Sequence, residues 1–150
     1  MERLTKVIIS ITVLMALLSF VPSKENGTYS LTVKVANLKN STGVVQFSLY
    51  NKDGTIPDQY FKKYYKQMKM TISQNSATVT FKNIPKGVYA VNIHHDEDKD
   101  GVIDKGWFLP IEGIGFSNLK SINPMNRPSF KKAKFELNTN KTINVKIIYL

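Results

Sequence analysis

The sequence has no cysteine, and its 150 residues hold one tryptophan and two histidines. Without cysteine there is no disulfide scaffold, no thiolate metal site and no residue to carry a lipoprotein's lipid. The two histidines, His94 and His95, are adjacent. Neighbours on a strand point to opposite faces, so the pair does not readily share one zinc ion. The G-x-S-x-G elbow of a serine hydrolase, the phosphate-binding P-loop and the dinucleotide fingerprint are also missing. Acids are few and unevenly placed: of eleven Asp and Glu, five fall between Asp96 and Asp104. No apolar run reaches the roughly 20 residues a membrane-spanning helix needs. What remains is a chain that must rely on its core, with 42% hydrophobic residues and a net charge of +10. Its length is that of one domain.

The start of the chain is set apart. Arg3 and Lys6 precede fourteen uncharged residues, Val7 to Phe20, and Val21-Pro22-Ser23 follows. A basic n-region, an apolar h-region and a short cleavage segment make a secretory signal peptide. Residues 1–23 are therefore expected to be removed, leaving 24–150 as a single domain without a membrane span. That predicts an exported protein, periplasmic or at the cell surface or secreted, with no nucleic acid among its partners.

From residue 28 onward the pattern is one of short strands. Tyr29, Leu31, Val33 and Val35 alternate with polar residues, and Val45, Phe47 and Leu49 repeat the period of two. Strand signals recur at 68–72, at 77–81 and at 89–95, with Ile84, Tyr89, Val91 and Ile93 expected in the core and His94 expected at the surface. Residues 58–66 fit a short helical turn or an irregular crossover equally. A long connection is expected over 96–128, then strands over 130–137 and 142–149. Turn residues separate all of these. The prediction is an all-β fold: an antiparallel β-sandwich of about seven strands, immunoglobulin-like or prealbumin-like. A closed barrel is the rival.

Three stretches carry a resemblance. Asn83-Ile84-Pro85-Lys86-Gly87-Val88-Tyr89 resembles the Pro-Gly-Xaa-Tyr turn of transthyretin-like and collagen-adhesin B-type sandwich modules. His95 to Asp104 (HDEDKDGVID) leads on to Pro110-Ile111-Glu112-Gly113-Ile114-Gly115-Phe116-Ser117-Asn118, and Arg127-Pro128-Ser129-Phe130 follows. In that order they are similar to the exported bacterial family called domain of unknown function 2141, over roughly Ser30 to Tyr149. The resemblance implies a sandwich fold and an envelope location, and no established activity.

The acidic loop at 96–104 has a chemistry of its own. Asp96, Asp98, Asp100, Gly101, Val102 and Asp104 take positions 1, 3, 5, 6, 7 and 9 of a twelve-residue calcium loop. Carboxylates would supply oxygens, Val102 its backbone carbonyl, and Gly101 the sharp turn. Ile103 is expected to turn inward as an anchor. Position 12 is Trp107 rather than Glu, so Glu112 or the distant Asp58 would have to supply the missing oxygen. The competing expectation is a solvated acidic turn whose carboxylates cap local amides. His95 is expected to orient the loop. Trp107, Phe108 and Phe116 would close one end of the sandwich or form a sugar-stacking shelf.

Elsewhere the surface is cationic, notably at Lys62, Lys63, Lys66 and Lys69 and at Arg127, Lys131, Lys132 and Lys134. Such a field favours anionic glycans or lipid headgroups. The leading expectation is an exported, non-catalytic module with a Ca²⁺-stabilised loop, acting in binding or envelope assembly with an unidentified envelope component. The second is a polyanion-binding protein using Lys62, Lys63, Lys66, Arg127, Lys131 and Lys132. The third is a metal-dependent hydrolase at 95–112.

Overall fold

The computed structural model describes residues 27–104 and 110–150. The signal-peptide segment, Trp107 and Phe108 lie outside them. The elements are β1 (Thr28–Val35), β2 (Val44–Tyr50), β3 (Lys66–Thr71), β4 (Ala77–Pro85), β5 (Gly87–Asp96), β6 (Gly113–Phe116), helix α1 (Phe130–Ala133), β7 (Phe135–Leu137) and β8 (Lys141–Asn144). Two sheets form the sandwich. One runs β4-β1-β8, and the other runs β3-β2-β5-β6, with β7 also paired to β5. The pairings are antiparallel except β1 with β8, which is parallel.

The core between the sheets follows the alternation. Leu31, Val33 and Val35 meet Val45, Phe47, Leu49, Val91 and Ile93, all buried. Ile84 and Tyr89 are buried there too, and the Tyr89 hydroxyl donates to the Pro85 carbonyl (2.9 Å), pinning the turn between β4 and β5. Each such side chain taken from water contributes roughly 1.5–3 kcal/mol.

Of the two alternatives for residues 58–66, the structure has the irregular crossover up to Tyr65, with no helix. Three expectations need correction. The connection 96–128 contains strand β6, since Gly113–Phe116 pairs with Asn92–His95. Residues 130–137 are not one strand: Ser129 caps a short helix by accepting from the Lys132 amide, and Phe130 and Ala133 bury one helical face. The last strand ends at Asn144, and residues 145–148 cross to the other sheet, where Ile114 and Ile148 exchange backbone hydrogen bonds of 2.9 and 2.8 Å.

That crossing explains two glycines. A Cβ at Gly115 would stand 2.3 Å from the Lys146 carbonyl oxygen, and one at Gly113 would stand 2.5 Å from the Tyr149 ring. Only glycine lets the tail lie against β6 here.

A second apolar cluster covers the outer face of the β3-β2-β5-β6 sheet. Tyr50 and Ala90 on the strands meet Ile56, Phe61, Ile103, Ile114, Phe116, Leu119 and Phe130. Strand β5 is consequently buried on both faces from Tyr89 to Asp96. Among the described residues no helix is long and apolar enough to cross a membrane.

Candidate metal site beneath the acidic loop

Asp96 ends β5 with no exposed surface. Its Oδ2 accepts from the Gly101 amide (3.1 Å) and from Lys69 Nζ (3.2 Å), while Oδ1 is buried without a hydrogen-bond partner. Leaving a buried carboxylate oxygen unpaired costs about 1–3 kcal/mol or more. Nested turns follow: Asp98 Oδ1 accepts from the Asp100 amide (3.1 Å) and Asp100 Oδ1 from the Val102 amide (2.7 Å). Lys99 and Gly101 take positive φ (68° and 80°). Ile103 turns inward into the second cluster, as expected.

Glu112, almost fully buried, closes the loop from the other side. Its Oε1 accepts from the Glu97 amide (2.9 Å), and its Oε2 accepts from the Asp104 amide (3.2 Å). The same Oε2 lies 2.6 Å from His94 Nε2. One carboxylate thus ties both ends of the loop to β5. Asp96, Asp98 and Glu112 can each place an oxygen within 4.8 Å of the others, and so can Asp98, Asp100 and Asp104. Asp98 belongs to both groups.

The charges strain against one another. Local desolvation, then repulsion from Glu112, Asp98 and Asp100, raises the Asp104 carboxyl above its ordinary value. At Glu97, desolvation works upward, but hydrogen bonds from Asn40 and Lys39 outweigh it and hold the carboxyl low. Lys39 Nζ is 2.6 Å from Glu97 Oε1. Lys69 stays exposed as expected, and its ammonium also lies 3.2 Å from Asp96 Oδ2.

Asp58 is not part of the loop. Its carboxylate accepts from the Lys62 and Lys63 amides (3.1 and 2.7 Å) and from the Tyr50 hydroxyl (3.2 Å). Burial, then the Asp58 charge, drives the Tyr50 hydroxyl far above its ordinary value. His95 is buried, but it holds other segments: Nε2 meets the Thr42 carbonyl (2.9 Å) and Nδ1 the Tyr149 hydroxyl (2.8 Å). It orients the 40–43 turn and the C-terminal tail. Phe116 is core.

His94 is the clearest departure from expectation. It has no exposed surface, stacks on Phe61 at 5.4 Å between ring centroids, and leaves Nδ1 without a partner. Beside it on the same sheet face lie Gln46 and Asn92, both buried, with Gln46 Nε2 and both Asn92 amide atoms unpaired. Reading period two alone assigns this face to solvent. The missed signal is chemical: its outward positions in β2 and β5 include Gln46, Ser48, Asn92 and His94, with no lysine or glutamate.

The basic stretches stay at or near the surface. Lys62 lies 5.9 Å from the Tyr60 ring centre and Lys66 5.9 Å from that of Tyr65, while Lys63 and Arg127 are exposed. Lys131 pairs with Asp53 at 3.6 Å, and Lys132 donates to Asn126 at 3.1 Å.

Residues 33–145 match the model of a family described as "Uncharacterized protein conserved in bacteria (DUF2141)". The chain belongs to that family. Its matched span runs from β1 through the acidic loop and α1 to the crossing tail, so the site lies wholly within the family region. No match was found among curated proteins or among solved structures.

Proposed function

We propose that the chain is an exported, non-catalytic β-sandwich module whose 96–112 loop takes a calcium ion, and that it acts in binding or envelope assembly. The observation that carries the reading is Asp96: a wholly buried carboxylate with one unpaired oxygen, grouped with Asp98 and Glu112 within 4.8 Å. A cation would satisfy that oxygen and relieve the repulsion felt at Asp104. The donors are hard oxygens, which suit Ca²⁺ over softer metals. Glu112, five residues beyond Trp107 at position 12, takes the place that Trp107 leaves without a carboxylate. The ammonium of Lys69 competes for Asp96, which points to weak affinity, about 10⁻⁴–10⁻³ M as in extracellular modules. His95 has both ring nitrogens engaged, which weighs against the hydrolase reading.

Thermal melts of the purified protein with chelator, with calcium and with magnesium test this. At ten times Kd calcium adds about 1.4 kcal/mol to stability. Magnesium adds less, because it demands octahedral geometry and sheds water reluctantly. Asp98→Asn keeps the turn's acceptor but removes the shared charge, so it abolishes the calcium shift. Coincident curves in all three solutions would leave the loop as a self-capped acidic turn.

A second reading, polyanion binding at Lys62, Lys63 and Lys66, is favoured by the exposed Tyr60, Tyr64 and Tyr65 interleaved with them.

A further inference from the structure

The outer face of the β4-β1-β8 sheet contrasts with the covered face of its partner. Its cross-strand rows are Thr80–Thr32–Thr142 and Thr78–Lys34–Asn144. Strands β1, β4 and β8 contain no Asp or Glu, and neither does the tail from 145 to 150. At the end of this face lies a groove of about 550 Å³, whose polar rim is Lys34, Asn37, Ser76, Thr78, Asn144 and Lys146. Val35, Ala36, Val145 and Ile147 complete its lining, and no aromatic ring lines it. Among the described residues neither Lys34 nor Lys146 has an acidic partner, unlike Lys39, Lys69 and Lys131.

We propose that this groove binds an anionic oligosaccharide. Two unneutralised ammonium groups attract sulfate, phosphate or uronate substituents. Asn37, Asn144, Ser76 and Thr78 supply the paired donors and acceptors that sugar hydroxyls require. Nucleic acid fits less well, since single strands are held by stacking on aromatic rings, which the groove lacks. A lipid surface fits less well too, because the groove lining holds no exposed large apolar side chain to enter a bilayer. The walls are held in place without ligand. The Leu38 amide donates to the Asn75 carbonyl (3.0 Å), and Val145 donates to the Lys34 carbonyl (2.9 Å). Preorganised walls reduce the ordering cost of binding. The site is independent of the calcium reading, because no loop carboxylate borders it.

The test is calorimetric titration of the purified protein with a heparin oligosaccharide, with polygalacturonate fragments, with dextran of matched length and with vesicles containing anionic lipid. The charged glycans bind and lose affinity in high salt, and dextran and vesicles do not bind. Lys34→Gln with Lys146→Gln weakens glycan binding about 10- to 100-fold with an unchanged melting temperature. Lys86→Gln with Lys120→Gln, two exposed lysines away from the groove, changes it less than about twofold, and chelator leaves it unchanged. Undiminished glycan binding by the Lys34/Lys146 variant overturns the proposal. So does equal binding of dextran, or vesicle binding that depends on the same two lysines while the glycans fail to bind.

Discussion

His95 and Asp96 are neighbours, both polar and both without exposed surface, yet β5 sends them to opposite sides of one sheet. His95 joins the inter-sheet side and is satisfied by Thr42 and Tyr149. Asp96 joins His94, Gln46 and Asn92 on the covered side, where five side-chain atoms are buried without partners. Glu112 is the residue that makes this arrangement tenable, because it accepts from the amides at both ends of the loop and meets His94. Removing it strands those donors. Glu112→Ala is therefore expected to lower stability by about 1–3 kcal/mol even in chelator, read from denaturant melts. An unchanged midpoint without calcium would mean that the clamp carries no folding energy and that Glu112 matters only as a ligand.

Among the elements, those with plain period-two alternation were legible: β1, β2, β4 and β5 stand where Leu31, Phe47, Val79 and Ile93 point inward. The elements that escaped had short or mixed patterns. In β6, Gly113-Ile114-Gly115-Phe116 has no side chain at its inward positions, so no alternation of apolar groups marks it. Between Phe130 and Leu137 the apolar spacing changes from three to two, at the boundary between helix α1 and β7. Gly115 is needed for a contact 31 residues further along the chain, which no local window reveals: the tail's Lys146 carbonyl. Gly115→Ala puts a methyl group there at 2.3 Å and also crowds Ile93. The expected cost is about 1–3 kcal/mol, as for overpacking, with faster amide exchange at Ile114 and Ile148. Retention of full stability and protection would show that the tail contact is dispensable.

At the scale of the whole molecule the two sheets divide the surface between them. One outer face is roofed by loops and α1, and the other carries threonine, asparagine and lysine to solvent. Export is proposed from residues 1–23, and intact mass of the protein from its native envelope tests it. A mass short by those residues is expected, and a full-length mass would reject cleavage. The sequence by itself determined the sandwich class, the inter-sheet core and the acidic spacing of 96–104, because each depends on local periodicity or on ligand positions within one loop. Only the tertiary structure decided that a face of polar residues is buried, that Glu112 rather than Asp58 closes the loop, and that Lys69 neutralises Asp96. Those outcomes depend on how distant segments pack over β2 and β5, and no window of neighbouring residues contains that information.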